Sequence, residues 1–472
     1  MYIPRALLLY KLRNHEPMTS RDEIALVAML SVPAMLAQLS TILMQYIDAS
    51  MVGSLGAEAS AAIGLVSTTI WLFGGLISAV STGFYVQVAH LMGANDTAGA
   101  RDILRQSFVS ALALSLLLSA IGVCISPHLP EWLGGAPEIR RDATLYFLVF
   151  SLSIPFAQLN SLCGGMLRST GNVHLPSVIN VVMCVMDVVM NALLIFPTRN
   201  VQCLGTTLTL PGAGLGVLGA VLGTSASFVI CSLLMFWLAC FRSRDLDIRQ
   251  EVGHFLPKTE TLKKSLHIAL PIGVEHAVMC GAQIASTLIV APLGTISIAA
   301  NAFGIVIESL CYMPGFGIAD AATTLVGQSV GAGRWRLARS FGRWTIALGM
   351  LCMTLLAVVM YAYSPSLMRW MTPDESVQAL TVEVLRIEAF VEPMYAASIV
   401  VYGVLVGVGR TMLPSFMNLA TIWIVRIPLA IALAGSMGLR GVWIAMAVEL
   451  CVRGACFLIS IARFRWENLR TL

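Results

Sequence analysis

Apolar residues run along this chain in long blocks that short polar segments separate. A membrane-spanning helix needs about 20 mostly apolar residues, because each residue rises about 1.5 Å across a hydrocarbon core of about 30 Å. Period-two alternation is absent, which disfavours a transmembrane β-barrel. The pattern therefore predicts an all-α integral membrane protein with twelve transmembrane helices. Their approximate bounds are 24–47, 60–90, 103–126, 142–166, 174–196, 214–240, 265–291, 297–327, 338–362, 379–405, 412–435 and 438–462.

Composition supports lipid as the main solvent of this surface. Hydrophobic residues make up 57% of the 472 residues and charged residues only 11%, whereas soluble domains carry about 25% charged residues. A soluble enzyme and a nucleic-acid binder are both disfavoured. The eleven cysteines form no C-x-x-C pair, so neither a zinc site nor a disulfide framework is indicated. No nucleophile triad, metal cluster or Walker loop is evident, so we expect neither an enzyme nor ATP-driven transport.

Basic residues predict the orientation of the spans. With the N-terminus inside, 21 of the 29 Lys and Arg fall on cytoplasmic segments, five on outer loops and three within spans. An excess of Lys and Arg marks the cytoplasmic side. We therefore expect both termini in the cytoplasm. The inner rim of arginines is interpreted as a topology determinant rather than a phosphate site; it comprises Arg101, Arg105, Arg334, Arg336, Arg339 and Arg343.

The chain contains an internal duplication. A shift of 238 residues aligns Pro33 with Pro271 and continues to Asn180, which aligns with Asn418. Each half contains six spans, so both halves enter the membrane in the same sense, as in parallel-repeat transporters. Other aligned landmarks are Gly93-Ala94 with Gly331-Ala332, Arg101 with Arg339, Arg105 with Arg343, Pro155 with Pro393, and Leu175-Pro176-Ser177 with Leu413-Pro414-Ser415.

The duplication predicts two six-helix lobes. We expect a cytoplasmic N-terminal segment over 1–20, an N-lobe over 21–240, a cytoplasmic linker over 241–263, a C-lobe over 264–463 and a cytoplasmic tail over 464–472. After residue 180 the alignment changes: Gly216 and Gly219 match Gly438 and Gly441 at a shift of 222. The first half therefore holds about 16 extra residues, which we place in the outer loop around Thr198–Ala213.

Three sequence blocks carry a family resemblance. Gln38-Leu-Ser, Ile47-Asp48 and Met51-Val-Gly-Ser-Leu-Gly56 together form the first block. The second runs from Met313-Pro-Gly-Phe-Gly317 to Thr324-Leu-Val-Gly-Gln-Ser-Val-Gly-Ala-Gly333, and the third is Gly438-Leu-Arg-Gly-Val-Trp443. In this order, over residues 20 to 465, they resemble the MATE (multidrug and toxic compound extrusion) exporters. The resemblance implies a twelve-helix, two-lobed secondary transporter that exports organic, often cationic, compounds against inward H⁺ or Na⁺ flow.

Two acids in the N-lobe are candidates for cation coupling. Asp48 lies near the outer end of the first span, and Asp187 lies within the fifth span with Asn191 four residues later on the same face. Ionisable groups at membrane depth are costly and mark functional sites. Ionised, the two carboxylates can ligate a transient Na⁺; buried, either can take a proton instead. The alternative for Asp48 is that it caps a helix end or touches lipid headgroups.

The resemblance supports these candidates and adds others. It implies an acidic residue at Asp48, polar residues at Asp187 and Asn191, and a sixth-helix threonine at Thr224; Asn180 completes the candidate set. In the C-lobe, Glu275 could bind a cationic substrate, take part in coupling, or pair with His276 or His267. A tenth-helix acid of some family members corresponds here to Tyr395. Further candidates for substrate binding or second-lobe coupling are Gln45, Tyr46, Gln283, Glu308, Asp320 and Glu392.

The remaining membrane charges have a structural interpretation. Arg386 and Glu388, with Arg426, Glu449 and Arg453, are expected to form ion pairs or to extend towards the interface. The G-x-G-x-x-G pattern of Gly214, Gly216 and Gly219 follows no strand and opens a span, so it favours close helix packing.

Together these features predict an antiporter that exports organic, cationic or amphipathic compounds in exchange for H⁺ or Na⁺. The coupling ion is its only expected cofactor, and its expected partners are small organic substrates and the bilayer, without nucleic acid. We expect a monomer in a bacterial inner membrane. Two alternatives stay open: a lipid-linked glycan flippase, which would need a cationic cavity for pyrophosphate, and a non-transporting membrane receptor or scaffold.

Overall fold

The computed structural model describes residues 4–203, 206–250 and 253–468, with the side chains of 199–203, 206–210 and 468 left out of the description. In the first half the helices are α1 (Arg5–Arg13), α2 (Ser20–Gly53), α3 (Ala57–Gly93), α4 (Thr97–Ile125), α5 (Leu129–Trp132), α6 (Pro137–Ser169), α7 (His174–Ile195) and α8 (Val217–Trp237). In the second half they are α9 (Thr259–Val290), α10 (Thr295–Gly331), α11 (Trp335–Met371), α12 (Glu375–Ala389), α13 (Glu392–Val408), α14 (Met412–Thr421), α15 (Ile427–Met437) and α16 (Leu439–Ala462).

Twelve spans are present, as predicted. Within the described residues, eleven helical segments are long and apolar enough to cross a membrane, with α14 and α15 joined through a π-helical turn as one of them. The twelfth is the pair α12 and α13, which bends by 57° at its break. Pro393 lies at the start of α13 and has no N–H to bond the carbonyl one turn earlier, which explains the break.

The extra residues of the first half form a β-hairpin, which was not predicted from the sequence. Strand β1 (Pro197–Cys203) pairs antiparallel with β2 (Thr206–Ala213), and Pro197 lies opposite Ala213. The position agrees with the outer loop inferred from the change of alignment. Strand structure satisfies the backbone hydrogen bonds of a segment that is too short and too polar to form another span.

A short helix precedes the first span. Helix α1 buries Leu8 and Leu12 completely in a cluster that also contains residues of α2 and α10. Arg334, which follows α10, donates to the carbonyl oxygens of Lys11 and Glu16 at 2.8 and 2.9 Å. Helix α1 therefore packs against the bundle.

The contacts between the halves follow a two-fold arrangement. Within the first half, α3 packs on α6 and α7 packs on α8; within the second, α10 packs on α13. Between the halves, α2 packs on α10 and α3 packs on α9. Helix α9 is the duplicate of α2, and α10 is the duplicate of α3. Each contact therefore joins the first span of one half to the second span of the other half, so the two contacts are equivalent. A two-fold axis between parallel repeats requires this equivalence.

Two aligned glycines lie where α3 and α10 meet. A side chain at Gly93 would overlap the backbone of Gln328, and one at Gly331 would overlap the backbone of His90. Small residues allow such close approach of membrane helices. The imidazole Nε2 of His90 also lies 2.8 Å from the carbonyl oxygen of Gly407. The lobes are therefore in direct backbone contact at the ends of α3 and α10.

Replacing Gly93 by Ala should force α3 and α10 apart. Overpacking of a fixed contact costs about 1–3 kcal/mol, and here the opposing atoms are backbone, which cannot rotate away. We expect a lower thermal unfolding temperature for Gly93→Ala in detergent. Gly64→Ala is the matched control, because it lies on the same helix with open space around it. Equal unfolding temperatures for the two variants would contradict the close contact.

Candidate functional site

The predicted N-lobe acids meet at one amide group. The Asn191 side-chain nitrogen lies 2.9 Å from Asp48 Oδ1 and 3.2 Å from Asp187 Oδ2. The Thr224 hydroxyl lies 3.5 Å from the same nitrogen. Helices α2, α7 and α8 therefore converge on a constellation of Asp48, Asp187, Asn191 and Thr224, which we call the N-lobe acid site.

Burial makes the site suitable for a monovalent cation. Asp187 and Asn191 are 1% and 0% exposed, and Asp48 is partly exposed. The Asp187 carboxyl also faces the Asp48 carboxyl and the Thr224 hydroxyl. Two adjacent carboxylates repel each other when both are ionised, so a proton or a cation placed between them relieves the repulsion. Partial exposure of Asp48 leaves one side of the pair open to an entering ion.

Two oxygens of the site accept no hydrogen bond. Asp187 Oδ1 and Asn191 Oδ1 are buried and have no donor within the described part of the chain. A buried acceptor without a partner costs about 1–3 kcal/mol. Carboxylate and amide oxygens are ligands for hard cations, and a carboxylate oxygen is also where a proton binds. The spare oxygens therefore supply the chemistry that H⁺ or Na⁺ needs.

Two residues that were not predicted from the sequence contribute to the site. A side chain at Gly223 of α8 would overlap the Asn191 amide oxygen, so glycine is needed for α7 to approach α8. The Tyr146 phenol of α6 lies close enough to Asp48 and Asp187 to interact electrostatically with both. Neither residue has a signal in its spacing, because glycines and aromatic residues occur throughout the spans.

Asn180 lies two turns before Asp187 on α7 and has no described hydrogen bond to the N-lobe acid site. Its side-chain oxygen is buried without a donor among the described residues. Its duplicate in the C-lobe, Asn418, has a defined partner: the Asn418 amide donates to Glu275 Oε1 at 2.6 Å. Residue 37, which aligns with Glu275, is alanine, so the N-lobe lacks the acid that would hold Asn180.

Glu275 is held by a tyrosine and an asparagine. The Tyr402 hydroxyl donates to Glu275 Oε2 at 2.8 Å, and the carboxylate is buried. Neither histidine considered from the sequence donates a hydrogen bond to it within the described residues. The His276 ring packs edge-on against Trp71 at 6.2 Å, and the His267 side chain is exposed. Its hydrogen bonds thus come from neutral hydroxyl and amide donors, while Arg453 and His276 interact with it electrostatically.

A second group of buried acids lies around α12 and α13. Glu388 and Glu392 are fully buried, and none of their carboxyl oxygens has a hydrogen-bond partner within the described residues. The Arg386 guanidinium stacks over the Tyr361 ring at 5.1 Å, and Glu388 interacts electrostatically with Arg426. Arg453 does pair with Glu449, through two bonds of 2.7 Å.

Two further charged candidates have cationic neighbours. Glu308 is buried on α10 and interacts electrostatically with Arg426 and Arg453. Asp320 lies 3.8 Å from Arg168, an ion pair that links α10 to α6.

The uncharged candidates lie on three helices, α2, α9 and α13. The Tyr46 hydroxyl donates to the carbonyl oxygen of Val306 at 2.6 Å and also bonds the Ser309 hydroxyl, which connects α2 to α10. The Tyr395 ring lies under Arg453 at 5.7 Å. Gln45 and Gln283 are exposed on α2 and α9.

Comparison with known proteins agrees with the duplication. A family model described as MatE matches residues 33–193 and again residues 271–432. A probable multidrug resistance protein NorM of Pseudomonas aeruginosa is 28% identical over 462 residues, covering 95% of this chain and 91% of the relative. A probable multidrug resistance protein NorM of Thermotoga maritima is 24% identical, covering 94% and 93%.

A solved structure has the same fold. It is described as the outward-facing conformation of a multidrug resistance MATE family transporter of the MOP superfamily. The TM-score is 0.87 at 20% identity, and all of both chains is covered. A bundle built from two parallel repeats is an architecture known among transporters. The chain belongs to the MatE family, whose members are transporters and not enzymes.

Replacing Asn191 by Ala should destabilise the N-lobe. The variant removes the amide that separates and bonds the two carboxylates, and loss of hydrogen bonds to buried charged groups costs about 1–3 kcal/mol. We expect a lower thermal unfolding temperature in detergent. Asn180→Ala on the same helix is the control, since no described hydrogen bond is lost there, and it should have a smaller effect. A control effect as large as that of Asn191→Ala would contradict the bonding role.

Proposed function

We propose that this chain is a secondary active antiporter that exports organic, cationic or amphipathic compounds in exchange for H⁺ or Na⁺. The observation that carries the proposal is the N-lobe acid site, where Asn191 bonds both Asp48 and Asp187. The names of the NorM relatives, which are multidrug resistance proteins, support the substrate class. A plasma membrane location, with both termini in the cytoplasm and a monomeric state, completes the proposal.

The coupling step begins at the outer end of α2. An extracellular cation enters beside partly exposed Asp48 and binds between Asp48 and Asp187. Binding draws the outer half of α2 towards α7 and α8. Pro33 lies inside α2 and removes one backbone hydrogen bond, which gives the helix a place to bend. The cation thereby changes the position of α2 relative to the rest of the bundle.

Tyr46 connects this movement to the other lobe. Its hydroxyl bonds Val306 and Ser309 of α10, and Glu308 lies between these two residues on the same helix. A shift of α2 therefore changes the contact between lobes. Export follows if the cation and the substrate favour different conformations or compete for one site, because coupling requires only such a difference in affinity.

Glu275 is the best candidate for a positively charged substrate. Its buried carboxylate accepts hydrogen bonds from Tyr402 and Asn418, which orient it without neutralising it. An organic cation is attracted to such a group, and neighbouring tyrosine rings favour it further. Exposed Gln45 and Gln283 could add polar contacts to the same substrate.

The two alternatives have less support. A lipid-linked glycan flippase would need basic groups to hold pyrophosphate, whereas the N-lobe acid site is acidic. In the C-lobe, the acids Glu308, Glu388, Glu392 and Glu449 outnumber the bases Arg426 and Arg453 that lie among them. A receptor or scaffold has no evident need for a duplicated bundle with two adjacent carboxyl groups inside one lobe.

Replacing Asp48 by Asn should abolish export and leave the protein folded. Asn retains the shape and a hydrogen-bond acceptor but cannot carry charge or take up a proton. Coupling free energies correspond to factors of about 5 to 150, so we expect dye export by expressing cells to fall by that order. Asp96→Asn is the matched control, because Asp96 caps α4 away from the site and Asn also caps helices well. Full export by Asp48→Asn would exclude this coupling role.

A further inference from the structure

A groove of 450 Å³ lies between the first half of α11 and the end of α16. Its floor is apolar, with Ile346 and Met350 on one side and Leu458 on the other. Arg339 and Arg343 line its end nearest to the start of α11. The groove therefore combines an apolar surface with two positive charges at one end.

The two arginines are one helical turn apart, and both are exposed. The structure shows no hydrogen bond or ion pair to either guanidinium among the residues it describes. On α2, the carboxylate of Glu23 accepts hydrogen bonds from the Trp344 indole at 3.1 Å and from the Ser340 hydroxyl. Two adjacent guanidinium groups without an acidic partner attract an anion with several oxygens.

The duplication shows what such arginines do in the other lobe. Arg101, the duplicate of Arg339, donates to the carbonyl oxygen of Asp245 at 3.1 Å. Arg105, the duplicate of Arg343, donates to the carbonyl oxygen of Ile248 at 2.6 Å. The linker between the lobes thus supplies acceptor oxygens at this position. In the C-lobe the described residues supply none, and the groove beside Arg339 and Arg343 is open.

We propose that this groove binds one anionic phospholipid of the leaflet facing the cytoplasm. The headgroup phosphate lies between Arg339 and Arg343, and an acyl chain lies along the floor formed by Ile346, Met350 and Leu458. A soluble phosphate would use only the arginines and leave the apolar floor exposed, whereas a phospholipid matches both parts. The phosphate of this lipid supplies acceptor oxygens to the arginines, as the linker carbonyl groups do in the N-lobe. The lipid also packs between α11 and α16.

The test counts lipids bound to the purified full chain by native mass spectrometry. Phosphatidylglycerol is the anionic probe and phosphatidylethanolamine the neutral one. We expect preferential retention of phosphatidylglycerol by the parent protein and a fall of about 30-fold in affinity for Arg339→Gln/Arg343→Gln, since each basic residue near an anionic surface contributes a factor of about five. Arg21→Gln/Arg336→Gln removes the same charge from the same side of the protein and should retain the lipid.

Three outcomes would overturn the proposal. The first is equal retention of phosphatidylglycerol by the two double variants. The second is release of the lipid by millimolar inorganic phosphate, which would assign the arginines to a soluble anion. The third is no preference for phosphatidylglycerol over phosphatidylethanolamine in the parent.

Discussion

Two carboxyl groups held side by side within a membrane-spanning bundle are the constraint on which the N-lobe depends. Asp48 and Asp187 cannot both remain ionised there without a positive partner, and the groups described around them are an amide, a hydroxyl, a phenol and a thiol. The Asn191 amide bonds both carboxylates and still leaves two oxygens without donors. In the proposed mechanism the missing positive charge comes from solution, so the packing of α2, α7 and α8 depends on a bound cation. A fixed arginine in the same place would give a more stable lobe that could not respond to a gradient.

The duplication places the first span of each lobe against the other lobe. Helix α2 packs on α10, and its duplicate α9 packs on α3. A displacement of α2 or of α9 therefore acts on the opposite lobe. At the axis, Gly93 and Gly331 bring backbone against backbone, which leaves little freedom for gradual sliding. Closely packed interfaces change between discrete arrangements rather than deforming continuously. In the proposed mechanism, ion binding at Asp48 is therefore linked mechanically to the contact between the lobes.

The twelve spans, the duplication and the meeting of Asp48 with Asp187, Asn191 and Thr224 were predictable from the sequence. Apolar length determines a span, and scarce intramembrane acids are conspicuous. The other details depend on packing that no local pattern encodes. Asn180 and Asn418 align, yet only Asn418 has an acid to bond, because residue 37 is alanine where the second lobe has Glu275. The partners of Glu275 come from helices far away in sequence, and Arg386 likewise stacks on Tyr361 of a different helix. Pro155 lies inside a continuous helix, while its duplicate Pro393 accompanies a 57° break.

The central claim is that movement of an organic cation is coupled to entry of H⁺ or Na⁺ at the paired carboxyl groups. The most direct measurement is efflux of an ethidium-like dye, and of a neutral dye as comparison, from vesicles containing the purified parent protein. An H⁺ gradient and a Na⁺ gradient are imposed separately, and each is collapsed in turn with an ionophore. We predict that at least one inward cation gradient drives dye against its own concentration gradient and that collapse of this gradient stops the transport. Dye movement that is the same with and without both gradients would contradict the claim.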